Sequence, residues 1–150
     1  MESKKFKTVF GEIAKENGFL KTNGGWYKET SECLSILELQ KSKFGNYFQL
    51  NIKIFIQGVF DRTYKPDKDL IQQSLGHVNG SETENYKEVL NFDNTIEDEV
   101  RILKLNELFK NHIVPFTTKT STRLGIQELE STGKVFILPL VKVELEKLMR

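Results

Sequence analysis

The chain has 150 residues, of which 38% are hydrophobic, 11% aromatic and 29% charged. This length fits one domain with its own core, since a fold of this size buries roughly 68–70% of its unfolded surface. The 22 Lys and Arg residues nearly balance the 21 Asp and Glu residues, and the formal net charge of +1 argues against a dedicated binder of nucleic acid or of anionic membranes. The single cysteine, Cys33, excludes an internal disulfide and a multi-thiolate zinc site.

The sequence shows no targeting or membrane-spanning segment. The first apolar residues, Phe6, Val9 and Phe10, follow one another at helical spacing and do not form the continuous block of a signal peptide. No apolar run approaches the ~20 residues that a bilayer requires. We therefore expect a soluble, cytoplasmic protein that does not associate with membranes.

The first predicted element is an amphipathic helix over residues 3–17. Its apolar residues recur at intervals of three and four and form one stripe, which is the pattern of a helix lying on a core. Gly18 is placed to end the helix in the left-handed C′ position. The stripe consists of Phe6, Val9, Phe10, Ile13 and Ala14.

Three strands joined by short turns are predicted next. Asn23-Gly24 predicts a type I′ turn, because both central residues of that turn need positive φ. Residues 32–40 are apolar on both faces, which is typical of a central strand covered on both sides. Residues 47–56 alternate with a period of two, so that one face enters the core. Parallel pairing would need long crossovers, and the short turns therefore predict an antiparallel meander.

The middle of the chain is less regular. Residues 61–84 predict a long polar loop with a strand fragment near His77, and residues 86–92 alternate as a fourth strand. Asn94-x-x-Glu97 resembles a capping box at the start of a helix. We expect this helix to end near His112, because Pro115 disfavours its continuation.

The C-terminal part predicts further helices, over residues 121–131 and along the stripe Val141, Leu145 and Leu148. The order of helix, run of strands and run of helices predicts an α+β fold. We expect one domain over residues 1–150, with an antiparallel meander of about four to five strands packed by an N-terminal helix and C-terminal helices.

No residue pattern in the chain indicates an enzyme. Both glycine-rich phosphate loops are absent, and the glycines that would precede a phosphate-binding Lys41-Ser42 are missing. His77 and His112 stand alone, without the spacing of metal ligands. Cys33 lies in a strand-like run, where a free cysteine behaves mostly as a small buried hydrophobe. We therefore predict no cofactor, no metal and no catalytic residues.

One strand face has the composition of a surface for single-stranded RNA. Polar and aromatic residues alternate with the apolar ones there, as on a base-stacking platform. The solvent side of an ordinary antiparallel strand has the same composition, and a net charge of +1 gives no electrostatic attraction. We therefore do not expect nucleic acid as a partner. The residues are Tyr47, Gln49, Asn51, Lys53 and Phe55.

Several short motifs in the first half together resemble a known family. They are Gly18-Phe19, Asn23-Gly24, Trp26-Tyr27, Leu39-Gln40-Lys41-Ser42 and Phe48-x-Leu50-Asn51. In their order and spacing they resemble the bacterial family called domain of unknown function 4304, most clearly over residues 6–60. The resemblance implies a single α+β domain of bacterial origin and implies no activity. It singles out Gln40, Ser42 and Asn51, which either fix the strand-to-strand turn by hydrogen bonding or form a polar patch for a ligand or partner.

Two functional hypotheses follow. The first is a non-enzymatic module that binds another protein, of an accessory or immunity type. The alternative is an enzyme or small-ligand-binding protein with a pocket between sheet and helix. The candidate binding residues are Trp26, Tyr27, Gln40, Ser42, Asn51 and His77.

Overall fold

A computed structural model describes residues 1–150 and places an antiparallel sheet at the centre of the fold. Its five strands lie in chain order, and each is antiparallel to the next. This arrangement confirms the predicted α+β fold with an antiparallel meander. The strands are β1 Leu20–Thr22, β2 Gly25–Glu29, β3 Cys33–Lys41, β4 Phe48–Ile56 and β5 Val78–Ser81.

Helices precede and follow the sheet, and most of them lie in the C-terminal half. A π-helical segment, Phe109–Ile113, joins α3 to α4, and 3₁₀ segments occupy Val59–Asp61 and Glu84–Leu90. No helix combines the length and the apolar character needed to cross a bilayer. The helices are α1 Ser3–Glu16, α2 Lys68–Gln72, α3 Asp98–Leu108, α4 Val114–Lys119, α5 Arg123–Ser131 and α6 Pro139–Leu148.

Helix α1 lies on one face of the sheet, as its apolar stripe predicts. Phe6 and Phe10 are fully buried, and the Phe10 ring lies 4.9 Å from the Trp26 ring of β2. Each such side chain contributes roughly 1.5–3 kcal/mol by its burial. Gly18 ends the helix with φ of 88°, and the N–H of Phe19 returns to the Ala14 carbonyl at 2.9 Å.

The other face of the sheet carries a second, smaller core. Leu34, Ile36 and Phe55 pack there against side chains from the segment between β4 and β5, chiefly Tyr64 and Ile71. Strand β3 is therefore covered on both sides, as its two apolar faces predict.

The predicted fourth strand at residues 86–92 is wrong, because this region is the 3₁₀ segment Glu84–Leu90. Val89 and Leu90 are adjacent and both buried, which an alternating strand on a single-sided core does not allow. The buried Arg101 holds the turn closed. Its Nη1 donates to the carbonyls of Glu88, Val89 and Asn91 at 3.3, 2.6 and 3.0 Å.

The expected helix end near His112 is also wrong. The helical path continues through the π segment into α4, and the N–H of Val114 reaches the carbonyl of Phe109. Pro115 comes just after the π segment, where the hydrogen-bond pattern already departs from that of an α-helix, so the proline ring does not end the helical path. His112 therefore lies within a continuous helical path, and its Nε2 is 2.6 Å from the Ser81 carbonyl oxygen.

Two turn and cap predictions need correction. Asn23 does not have positive φ, and only Gly24 in that turn does, at 90°, so the hairpin has no type I′ turn. The capping box at residues 94–97 is not formed, since α3 begins at Asp98 with Glu97 as an N-cap that makes no side-chain bond. The acidic first turn, Asp98 and Glu99, still complements the positive end of the helix dipole.

Candidate functional site

A groove of about 730 Å³ runs between helix α1 and the β1–β2 hairpin. We call it the α1–β1 groove. Its helix side is a second stripe of α1, spaced by three and four residues and separate from the apolar stripe that enters the core. Its hairpin side includes Phe19 to Thr22 and Gly24 to Trp26. The helix side consists of Lys4, Lys7, Thr8, Gly11, Glu12 and Lys15.

The floor of the groove depends on a glycine inside the helix. A Cβ on Gly11 would lie 3.0 Å from Nε1 of Trp26, tighter than an ordinary van der Waals contact, so the absence of a side chain favours the close approach of the helix to the indole. Trp26 and Phe19 are almost fully buried, whereas Leu20 at the rim is 57% exposed. The groove is therefore preformed: its aromatic floor is already packed, and the bordering edge strand β1 carries the exposed Leu20.

The charge of the groove differs strongly from that of the whole chain. Four lysines and one glutamate line it, a local formal charge of +3 in a protein of net charge +1. Lys4, Lys7, Lys15 and Lys21 form no ion pair, so the acidic residues of the chain do not neutralise them. Unpaired cations that converge on one concave surface attract an anionic ligand.

The six residues singled out by the sequence do not share one location. Trp26 lines the α1–β1 groove. Tyr27 lies on the opposite face of the sheet, partly buried against the smaller core. Ser42 follows β3, and its Oγ accepts a hydrogen bond from the N–H of Phe44 at 3.0 Å. His77 precedes β5, and only Gln40 and Asn51 touch one another.

Gln40 and Asn51 belong to a polar cluster on the face opposite α1. The Asn51 amide donates to Glu38 Oε1 at 3.1 Å and to Gln40 Oε1 at 3.0 Å. Lys53, only 2% exposed, donates to the same Glu38 oxygen and to the Ile71 carbonyl, both at 2.7 Å. Each member pairs with another, so the cluster ties β3, β4 and α2 together. Lys53 and Phe55 are buried. These two residues of the strand face considered for RNA are therefore not accessible to a nucleic acid.

His77 is held among aromatic rings in its neutral form. Its Nδ1 accepts the N–H of Ile56 at 2.9 Å, and the rings of Phe55 and Tyr64 lie 5.4 and 4.9 Å away. Burial and the nearby Arg62 lower the pKa of His77 from 6.5 to about 4. With one nitrogen already occupied, this side chain serves packing and backbone hydrogen bonding. No group of three or more His, Cys, Asp or Glu side chains is arranged to hold a metal ion.

Cys33 is likewise placed for packing. It is buried in the main core, and burial together with the charge of Glu32 raises the pKa of its thiol to about 12. A nucleophilic cysteine needs the opposite shift.

Apart from Trp26, the sequence did not indicate the groove residues, because lysines on the polar side of an amphipathic helix are typical of a solvated face. One signal was present. Gly11 stands inside a helical pattern, where glycine costs about 1 kcal/mol relative to alanine, and such a glycine usually has a packing reason. That reason is the close approach to Trp26.

The fold is that of an α+β domain with a five-stranded meander and a lysine-lined groove between α1 and the edge of the sheet. The chain belongs to the family described as Domain of unknown function (DUF4304), whose model matches residues 10–119. The match confirms the resemblance and extends it beyond residues 6–60, to the end of α4. Neither a curated protein nor a solved structure matches the chain.

Proposed function

We propose that the protein is a non-enzymatic binding module that holds an acidic segment of another protein in the α1–β1 groove. The observation that carries the proposal is the convergence of Lys4, Lys7, Lys15 and Lys21, none of them ion-paired, on a preformed groove that is bordered by the edge strand β1 with its exposed Leu20. Carboxylates of the partner neutralise these lysines, and apolar side chains of the partner cover Leu20. We place this binding in an accessory or immunity-type role in the bacterial cytoplasm.

The groove favours a polypeptide over a nucleic acid. Base stacking needs exposed aromatic faces, and Trp26 and Phe19 are only 3% and 1% exposed. The backbone of the edge strand β1 also borders the groove, and backbone donors and acceptors suit a peptide. A small anionic amphiphile is the second candidate, because the volume of about 730 Å³ lies within the usual range of ligand pockets, roughly 300–1,000 Å³.

Trp26 is the only tryptophan of the chain and lines the groove, so its fluorescence reports occupancy directly. The test titrates the protein with a capped heptapeptide in which Glu alternates with Val, and compares it with the same peptide carrying Lys for Glu. We expect saturable changes in emission for the acidic peptide alone, weakening as salt is added. Equal binding of the two peptides would contradict the proposal.

The matched variants are Lys7→Glu/Lys15→Glu, within the groove, and Lys43→Glu/Lys134→Glu, at exposed positions outside it. Both change the net charge by the same amount. We expect the groove variant to lose at least tenfold in affinity and the control variant to change less than threefold. A similar loss of affinity in both variants would show that binding depends on the net charge of the protein and not on the groove, and would contradict the proposal. If an equimolar oligouridine displaces the peptide, RNA and not a protein segment is the partner of the groove. If decanoate displaces it, the small-ligand alternative is favoured.

A further inference from the structure

We infer that the segment bound in the α1–β1 groove is an extended strand that pairs with β1 and becomes the sixth strand of the sheet, with acidic side chains toward α1 and apolar side chains toward Leu20. This inference rests on the proposed function and specifies the conformation and residue pattern of the partner.

The free edge of the sheet supplies the backbone groups for this pairing. Strand β1 is terminal and pairs only with β2, through Leu20–Tyr27, Lys21–Trp26 and Thr22–Gly25. Thr22 and Gly25 flank a two-residue turn and form a hydrogen-bonded pair, so the next pair, Lys21–Trp26, is non-hydrogen-bonded. The N–H and C=O of Lys21 therefore point away from β2, toward the open edge. An antiparallel strand lets one partner residue bond to both groups.

The same register fixes which partner side chains meet which surface. Residues paired across a sheet point to the same face, so Lys21 shares the face of Trp26, where α1 lies, and Leu20 shares the opposite face with Tyr27. The partner residue opposite Lys21 points toward Lys7 and Lys15 as well and is acidic. Its two neighbours point to the other face, where one of them covers the exposed Leu20, and are apolar. The period of two thus gives a pattern of alternating apolar and acidic residues.

The dimensions of the groove agree with a short strand. The helix stripe from Lys4 to Lys15 covers eleven residues of rise, or about 16 Å at 1.5 Å per residue. An extended strand covers the same length with about five residues at 3.3 Å each. The edge is also anchored before binding, since Thr22 Oγ1 donates to the Pro66 carbonyl at 2.8 Å. A five-residue segment with two or three acidic side chains therefore matches the length of the helix stripe.

Peptide methylation separates this mode of binding from the proposed function itself. The acidic heptapeptide is prepared with N-methyl groups on its Glu residues, whose N–H groups face β1 in this arrangement, or on its Val residues, whose N–H groups face away. We expect at least tenfold weaker binding for the Glu-methylated peptide and less than threefold for the Val-methylated one. Equal effects of both, with the parent peptide bound, would overturn strand addition and leave the binding function standing. Failure of the parent peptide to bind would overturn both.

A protein variant provides the complementary test. Lys21→Pro removes the outward N–H without breaking the β1–β2 pairing, because proline is tolerated on an edge strand whose N–H faces solvent. Lys21→Ala is the matched control that removes only the side chain. We expect Lys21→Pro to bind the acidic peptide at least tenfold more weakly than Lys21→Ala, while both unfold at similar urea concentrations. Equal affinities of the two folded variants would overturn the inference, and if Lys21→Pro does not fold, the methylated peptides decide it.

Discussion

Asn51→Asp is expected to destabilise the protein, because Asn51 is a hydrogen-bond donor within the polar cluster. Its Nδ2 lies 3.1 Å from Glu38 Oε1, so the substitution brings two carboxylates into contact. At an effective dielectric constant of about 20, two charges at ~3 Å repel by about 5 kcal/mol. Lys53, 2.7 Å from the same Glu38 oxygen, offsets part of this repulsion.

The free energy of unfolding lost in Asn51→Asp has an upper limit, because the new carboxylate can bind a proton and so remove the repulsion. An Asp with an ordinary pKa of about 3.9 can be neutralised at pH 7 for about 4 kcal/mol, and at pH 5 for about 1.5 kcal/mol. We therefore expect the free energy of unfolding to fall by about 2–4 kcal/mol at pH 7 and by less than about 1.5 kcal/mol at pH 5. Urea unfolding at the two pH values, followed by circular dichroism, measures both.

The control is the double variant Glu38→Gln/Asn51→Asp. A Gln amide at position 38 can donate to the new carboxylate, so we expect more than half of the stability lost at pH 7 to return. A loss below about 1 kcal/mol at pH 7, without pH dependence or rescue, would refute the structural role of Asn51. That result would favour the other hypothesis for this residue, a polar patch open to a ligand.

Three further predictions concern buried groups. Arg101→Met should lower the free energy of unfolding by about 3 kcal/mol, because it leaves buried carbonyls of the 3₁₀ segment without a donor. Urea unfolding measures this change, and a decrease below about 1 kcal/mol would contradict the prediction. The fold depresses the pKa of His77 to about 4, so its contribution to stability is complete above pH 6.5 and is lost as the pH falls toward 4. His77→Gln, whose amide oxygen can still accept from Ile56, should make unfolding less pH-dependent over this range, and an unchanged pH profile would argue against the buried neutral imidazole. Cys33 should react with an aromatic disulfide reagent only at the rate of unfolding; rapid reaction of the native protein would contradict its burial.

The sequence predicts the sheet well where one physical signal dominates. Strand β4 alternates with a period of two because one of its faces lies wholly in the main core, and α1 repeats at three and four because it lies on that core. The error at residues 86–92 has a tertiary cause. In the structure three hydrogen bonds from Arg101 hold the backbone carbonyls of the turn, and the local alternation of residues gives no sign of that contact.

Candidate binding residues are harder to predict, because their roles depend on elements distant in sequence. Gln40 and Asn51 are diagonal neighbours in the β3–β4 register. The neighbouring Lys53, by contrast, is buried against the Ile71 carbonyl of α2, in a region predicted as loop. The lysines of α1 line a groove only because the fold places β1 beside the helix. Charge and helical spacing alone cannot distinguish a binding stripe from a solvated one.

Stability and binding are separable in this architecture because α1 uses two different stripes. Phe6, Phe10 and Ile13 hold the helix on the core, whereas Lys7 and Lys15 project into the groove and form no ion pair. The core therefore fixes the helix before any partner arrives, and β1 is held in the sheet independently of the partner. In the proposed complex a partner strand would meet a groove that is already formed, and the entropy lost on binding would come mainly from the partner. Substitutions at the groove lysines should for the same reason change affinity without unfolding the protein, which makes the charge-reversed variants a direct measure of recognition.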